Sequence, residues 1–122
     1  MSRSDRIAAL AALGAARRDA DLARLAAVAA RLSVAVHLRD RMEAALAHEI
    51  DTAKAGPELP VLKALDAHVL LAERARGALE TQIARITDEK EAERRLCARS
   101  FGRADVLERL RDRLKAERRR PV

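Results

Sequence analysis

One interruption divides this chain into two long stretches that can each form a single helix. The segment Ala55-Gly56-Pro57-Glu58-Leu59-Pro60 contains a glycine suited to the end of a helix and a proline that prevents its continuation. Pro60 can occupy the first turn of a following helix, where its missing N–H costs nothing. With Ser4 as the N-cap, we predict one domain over 1–122, with helix 1 over about 4–55, a turn over 56–60 and helix 2 over about 60–119.

The composition favours helices. Hydrophobic residues make up 49% of the 122 residues and charged residues 36%, and most of the hydrophobic residues are Ala and Leu, which are strong helix formers. Aromatic residues make up 1%, which argues against β-sandwiches and barrels and against sites that stack bases on rings. The single Cys rules out an internal disulfide, and no stretch approaches the roughly 20 apolar residues of a membrane span. We expect an all-α, cytoplasmic protein.

A heptad pattern runs through both helices. Apolar residues alternate in steps of three and four, the spacing of a coiled-coil seam. In helix 2 this frame contains Leu62, Leu65, Val69, Ala72, Arg76, Leu79, Ile83, Ile86, Lys90, Glu93, Cys97, Ser100, Ala104, Leu107, Arg111 and Leu114. In helix 1 it contains Leu25, Val28, Leu32, Ala35, Arg39, Met42, Leu46, Glu49 and Ala53. Upstream, Ile7, Leu10 and Leu13 step by three, which predicts a local overwinding.

Folding at the glycine–proline break predicts a long antiparallel two-helix coiled-coil hairpin. Opposite residues then have numbers that add to about 115 or 116, with Arg17–Asp21 facing Glu93–Cys97, and both segments are polar. A dimer that exchanges helices would pair the same levels, so a homodimer stays open. Because Ala-rich seams bury little apolar surface, we also expect a second copy or a partner protein to cover part of the hairpin.

The sequence offers no set of residues for catalysis, a cofactor or a metal. His48-Glu49 begins like the zinc motif H-E-x-x-H, but Thr52 replaces the second ligand. His48 and His68 face each other in the predicted pairing, without a third ligand, and a solvated pair is the simpler interpretation. Cys97 lies in the seam, with no His near it, and is expected to be a small core residue. We predict a protein that is not an enzyme.

The basic charge is concentrated near the end of the chain. The segment from Arg94 to Val122 has a net charge of +7, and the rest of the chain has −1. This segment is either a solvated charged face or a surface that binds an acidic protein or nucleic acid. It contains no Asn for reading bases, and acidic residues interrupt it, so we rank a protein partner above DNA.

The chain resembles the FliJ/YscO family of type III export stalk proteins. The likeness lies in the two-helix layout with its short turn, the polar middle segment and the Arg- and Leu-rich end. The residues that carry it most clearly are Ala98-Arg99-Ser100-Phe101-Gly102-Arg103-Ala104-Asp105-Val106-Leu107-Glu108-Arg109-Leu110-Arg111-Asp112-Arg113, where small residues precede an L-x-x-L-x-x-R arrangement. Unlike that family, this chain is nearly free of aromatic residues and unusually rich in Ala.

The resemblance implies a non-enzymatic stalk in the type III (flagellar) protein export apparatus. The end that bears both termini would dock into a hexameric export ATPase, and the body would contact the export gate protein. The ATPase-facing residues would be Arg17, Arg18, Arg99, Arg103, Arg109, Arg111 and Arg113. The weaker candidates for the gate contact are Leu38, Met42, Leu70 and Leu71. The protein would reach the membrane only through these partners. The alternative is a generic structural or nucleic-acid-associated coiled-coil protein.

Overall fold

Two long helices make up the fold. The computed structural model describes residues 2–56 and 59–119; α1 covers Arg3–Ala55 and α2 covers Leu59–Arg119. The helices pack closely against each other and run antiparallel, which confirms the predicted all-α two-helix coiled-coil hairpin. Of the predicted turn, Pro57 and Glu58 lie outside the described residues.

The seam of α2 follows the heptad frame of the sequence. Its buried and half-buried residues recur in steps of three and four from Leu65 to Leu114. Cys97 is buried in this seam as a free thiol, as predicted. The frame fails at two of its positions, because Leu62 and Arg76 are exposed.

The seam of α1 continues upstream in the same heptad register, so the predicted overwinding is wrong. Leu10 is 48% exposed and Leu13 is 67% exposed, and neither is a seam residue. The seam residues here are all buried or half-buried, and most are small or polar: Ile7, Ala11, Gly14, Arg18, Asp21 and Leu25. The prediction was wrong because it followed the leucines. Leu10 and Leu13 each lie one residue before a seam residue, Ala11 and Gly14.

The chain divides into two compact units, in each of which a part of α1 packs on a part of α2. Unit 1 combines the chain up to Val28 with the chain from Glu89 onward, and unit 2 spans Ala29–Asp88. Small or β-branched side chains fill most buried apolar positions of unit 1, which are Ala11, Val28, Cys97 and Ala104. Those of unit 2 are Ala35, Ala53, Leu79 and Ile86. Across the described residues, neither helix has a stretch that is both apolar and long enough to cross a membrane.

A buried polar pair sets the register of unit 1. Asp21 is 2% exposed, and its carboxylate accepts hydrogen bonds from the Ser100 hydroxyl across the seam and from Arg24 on its own helix. The predicted pairing placed Asp21 opposite Arg94 or Arg95, so the observed partner lies about one and a half helical turns further along α2. The reason is that Ser100 is a seam residue that can donate to a buried carboxylate, whereas a buried carboxylate without a donor is costly.

The same pair makes the stability of unit 1 depend on pH. The Ser100 hydrogen bond, followed by Arg24 and the nearby charge of Arg17, holds the pKa of Asp21 below its ordinary value of 3.8. A carboxyl whose folded pKa is lowered stabilises the fold above the unfolded value. This contribution is therefore present above about pH 4 and is lost as the pH falls through the folded pKa.

The first turn of α1 is capped by Ser2 rather than by Ser4. The Ser2 hydroxyl accepts from the Asp5 amide at 3.1 Å, and the Asp5 carboxylate accepts from the Ser2 amide at 3.2 Å. This reciprocal pair is a capping box, and its S-x-x-D spacing is visible in the sequence. Hydrogen bonding to Ser2 lowers the pKa of Asp5, because it favours the carboxylate.

Among the glycines of this chain, Gly14 is the one that lies close to the opposite helix. A Cβ at this position would be 3.0 Å from Leu107 Cδ1 and 3.6 Å from the Ala104 Cα. At Gly102 and Gly77, by contrast, a Cβ would meet no atom within 4 Å. Gly14 is therefore the one glycine at which an added Cβ would require a neighbouring side chain to shift.

We expect the buried pair to behave as one energetic unit. Asp21→Ala and Ser100→Ala should each lower the urea midpoint of unfolding, followed by circular dichroism at pH 7. The double variant should lose less than the two single losses combined, since each substitution removes the same hydrogen bond. Asp19→Ala, at an exposed neighbouring carboxylate, is the matched control and should change little. Strict additivity of the two single effects would contradict the role given to the pair.

Alanine substitutions at two glycines should distinguish the effect of limited space at the seam from the effect of helix propensity. Gly102→Ala should raise the free energy of unfolding by about 0.5–1 kcal/mol, because alanine loses less backbone entropy in a helix. Gly14→Ala gains the same contribution but must displace the end of the Leu107 side chain, so its net effect should be smaller. Urea denaturation of both variants measures the difference. Equal stabilisation at the two positions would show that the close approach carries no constraint.

Candidate protein-binding surface

The charges of unit 1 are sorted onto two sides of the helix pair. With seam residues assigned to heptad positions a and d, an antiparallel pair places the e positions of both helices along one edge of the seam and the g positions along the other. Arg18, at an a position of α1, accordingly reaches Glu108, at an e position of α2, at 3.7 Å. We call the g and c positions the arginine side and the e and b positions the carboxylate side.

The two sides have opposite charge. On the arginine side of unit 1, two carboxylates, Glu89 and Glu117, accompany Arg3, Arg6, Arg17, Arg24, Arg99, Arg103 and Arg113. On the carboxylate side, three basic residues, Arg94, Lys115 and Arg119, accompany Asp5, Asp19, Glu91, Asp105, Glu108 and Asp112. Unit 2, taken by itself, is sorted in the same way. Its arginine side contains Arg31, Arg41 and Arg85, and its carboxylate side contains Asp40, Glu43, Asp66, Glu73 and Glu80 together with Lys54 and Lys63.

Five of the six carboxylates on the carboxylate side of unit 1 form ion pairs within the chain, and the sixth, Asp5, is hydrogen-bonded to Ser2. Ion pairs join Glu91 to Arg94 at 2.8 Å and Asp105 to Arg109 at 3.0 Å. Longer contacts hold the other carboxylates: Asp19 with Arg18 at 3.3 Å, Asp112 with Arg111 at 3.5 Å, and Glu108 with Arg18 at 3.7 Å. The carboxylate side is therefore internally paired.

Three arginines of α2 on the arginine side have no such partner. Among the residues that the structure describes, the side chains of Arg99, Arg103 and Arg113 make no ion pair or hydrogen bond, and all three residues are exposed. Arg17 is 3.6 Å from the buried Asp21 and remains largely exposed. The unpaired positive charge of unit 1 is thus concentrated on the arginine side, where it can attract carboxylates or phosphates.

The seven arginines singled out by the sequence divide into three groups. Arg17, Arg99, Arg103 and Arg113 share the arginine side. Arg18 and Arg111 are half-buried seam residues, and the Arg18 guanidinium lies 5.6 Å from the centre of the Phe101 ring. Arg109 projects away from the seam and pairs with Asp105. Within the first group, Arg99, Arg103 and Arg113 present free guanidinium groups on one surface.

The four candidates for a second contact lie in unit 2 and do not form one surface. Leu38 and Leu71 are exposed on the arginine side, and Leu70 is exposed on the carboxylate side. Met42 is a half-buried seam residue. Leu38 and Leu71 are therefore the two of the four that can contribute to a common contact.

The histidines of unit 2 do not assemble a metal site. His68 Nε2 lies 3.2 Å from Glu49 Oε2, so the side chain that His68 meets across the seam is a carboxylate rather than His48. Both histidines line the same open groove, with Thr52 and Leu65. No group of three or more His, Cys, Asp or Glu side chains among the described residues is arranged to hold a metal ion.

Sequence reasoning missed the residues that surround the free arginines. Arg6 and Arg24 also lie on the arginine side, and so do the exposed Leu10, Leu13 and Val106. Extending the 3-4 frame of α1 back from Leu25 would have placed Arg6, Leu10 and Leu13 correctly. The polar character of Arg18 and Asp21 at seam positions hid that signal.

Comparisons with protein-family models, with curated proteins and with solved structures found no match for this chain.

Neutralisation of the carboxylate side can be measured at Glu91. Its hydrogen bond from Arg94, with the charges of Arg94 and Arg95, lowers its pKa from 4.5 to about 2. The stabilisation from this pairing is present above pH 4.5 and is lost as the pH falls from 4.5 towards 2. We expect Arg94→Gln with Arg95→Gln to raise the Glu91 pKa towards 4.5, as measured by the carboxyl ¹³C chemical shift during an NMR titration. Arg99→Gln is the control and should leave it unchanged; a Glu91 that titrates near 4.5 in the unaltered chain would refute the pairing.

Proposed function

We propose that this chain is a non-enzymatic coiled-coil protein whose arginine side in unit 1 docks on an acidic surface of a partner protein. The observation that carries the proposal is the contrast between internally paired carboxylates and the unpaired Arg99, Arg103 and Arg113. Guanidinium groups that are exposed and without internal partners can form bidentate contacts with carboxylates of another protein.

The partner that the resemblance to the FliJ/YscO family favours is the hexameric ATPase of a type III (flagellar) export apparatus. Unit 1 contains both ends of the described chain, which is the part that docks into the ATPase in that family. By binding some conformations of the ring better than others, the docked helices would shift its conformational populations and raise its turnover. Leu38 and Leu71 are our candidates for the contact with the export gate. The protein would act in the cytoplasm and reach the membrane only through these partners.

The arginines would contribute to docking in different ways. Arg99, Arg103 and Arg113 would contact the partner directly, with Arg17 beside them. Arg18 and Arg111 would act as positioning residues, since Arg18 joins α1 to Glu108 and Arg111 is held in the seam. Arg109, already paired with Asp105, would contribute less.

A nucleic-acid-associated protein is the second candidate function, because phosphates would also be attracted to the arginine side. Exposed leucines and a valine interrupt its arginines, however, and a phosphate backbone gains little from such residues. A protein surface gains from both the charges and the apolar groups.

Charge reversal on one side of α2 tests the proposed function. Arg103→Glu with Arg113→Glu should abolish stimulation of ATP hydrolysis by the export ATPase of the same organism, measured at steady state with circular dichroism to verify helicity. Lys115→Glu with Arg119→Glu changes the net charge equally on the carboxylate side of the same helix and should leave most of the stimulation intact.

Two results would overturn the proposal. Full stimulation by the folded Arg103→Glu, Arg113→Glu variant would remove the arginine side from the interaction. If the unaltered protein neither stimulates the ATPase nor co-elutes with it, the export ATPase is not the partner. Duplex DNA binding whose affinity falls steeply with salt would then favour the nucleic-acid alternative.

A further inference from the structure

A cluster of exposed apolar side chains occupies the middle of the arginine side in unit 1. Leu10 and Leu13 contribute from α1, and Val106 and Leu110 contribute from α2. Leu13 is 67% exposed and Val106 is 62% exposed, while Leu110 is half-buried beside the seam. We call these four residues the Leu-Val patch.

The register of unit 1 brings the two halves of the patch to one level. Asp21 meets Ser100 across the seam, and Gly14 approaches both Ala104 and Leu107. In this antiparallel pairing Leu10 lies within about one residue of the level of Leu110, and Leu13 within about two residues of the level of Val106, which are offsets of about 1.5 and 3 Å along the axis. The patch is therefore a contiguous surface formed by both helices.

Arginine pairs flank the patch at both ends. The same register places Arg17 level with Arg103, about one turn beyond Leu13, and Arg6 level with Arg113, about one turn beyond Leu10. Val106 and Leu110 line a shallow depression together with Arg109 and Arg113. Apolar side chains are thus bracketed by positive charge along the helix axis.

The position of the patch favours a helix over a flat surface as its occupant. Leu10 and Leu110 are at g positions, so they line the groove between α1 and α2 rather than its outermost crest. The outermost f positions of α1 in this region are Ala9, Ala16 and Ala23, which are too short to insert into a lipid layer. A third helix can lie in such a groove and place its apolar side chains between those of the pair.

We propose that the Leu-Val patch and its flanking arginines bind an acidic amphipathic helix of the partner protein. The spacing defines that helix. Arg6 and Arg17 are separated by eleven residues of α1, about 16 Å along the axis, so the bound helix carries Asp or Glu near both ends of a similar span. Between them, two apolar residues three or four positions apart face the patch.

The chemistry discriminates against other occupants. A second copy that presented its own arginine side would bring arginine against arginine, which like-charge repulsion opposes. The carboxylate side of a second copy offers paired carboxylates, and its exposed apolar residues in unit 1 are Leu22 and Phe101. A helix with free carboxylates satisfies the guanidinium groups and covers the leucines together.

The inference rests on the proposed function in one respect, namely that unit 1 docks on a protein. The probe that tests it is a fluorescein-labelled, Ala-based peptide with two leucines three positions apart, and a glutamate four positions before the first and after the second. Fluorescence anisotropy at moderate salt measures its binding to the full chain. A peptide with lysines in place of both glutamates is the charge control.

We expect the glutamate peptide to bind and the lysine peptide to bind at least about tenfold more weakly. Arg17→Glu with Arg103→Glu should reverse this preference. Leu13→Ser with Val106→Ser should weaken binding of the glutamate peptide by about fivefold or more, because it removes the apolar anchors. Leu22→Ser, at an exposed leucine of the carboxylate side, is the matched control and should stay within about twofold. Circular dichroism verifies the fold of each variant.

Three results would overturn the inference. The first is equal binding of the glutamate and lysine peptides. The second is a dimer in sedimentation equilibrium that Leu13→Ser with Val106→Ser dissociates, which would identify a second copy as the occupant. The third is tighter binding of phosphatidylglycerol vesicles or duplex DNA than of the glutamate peptide, with loss in the same variants.

The peptide experiment and the ATPase experiment test different claims, so one claim can be wrong while the other stands. If the peptide does not bind but Arg103→Glu with Arg113→Glu still abolishes ATPase stimulation, the proposed function stands and the helical occupant is wrong. If the peptide binds as expected but the ATPase is not stimulated, the docking surface stands and its partner is a different acidic protein.

Discussion

The hydrogen bond between Asp21 and Ser100 determines the level at which the two helices of unit 1 meet. A seam of alanines and other small residues tolerates several alignments, because neighbouring layers are similar in size and shape. A buried carboxylate does not, since it needs a donor across the seam and finds one at Ser100. Surface features of unit 1 that are built from both helices depend on this alignment, including the position of Leu13 relative to Val106.

Small seam residues also explain why leucines remain outside. Gly14 and Ala104 allow the helices to approach closely, which leaves little room between them for a larger side chain. Because these small residues occupy the seam, Leu10 and Leu13 fall at g and c positions at the edge of the pair, where they keep much of their apolar surface exposed. The same packing that makes the seam narrow thus creates an apolar surface that a partner can cover.

The charge distribution adds selectivity to that surface. Local pairs such as Glu91 with Arg94 and Asp105 with Arg109 neutralise the carboxylate side through contacts along a single helix. Arg103 and Arg113 make no ion pair with any described residue. Unit 1 therefore presents one side whose carboxylates are mostly paired within the chain and one side with free guanidinium groups, which favours an acidic partner and a defined orientation of that partner.

The sequence by itself determined the helical class, the break near Gly56 and the seam of α2, because proline placement and heptad spacing are local properties of the chain. It also located the basic segment. Only the tertiary structure decided which arginines of that segment are free, since Arg109 and Arg103 are equally basic in sequence and differ by their neighbours in space. The register and the Leu-Val patch likewise required the packed helices, because they follow from which buried polar group finds a partner across the seam.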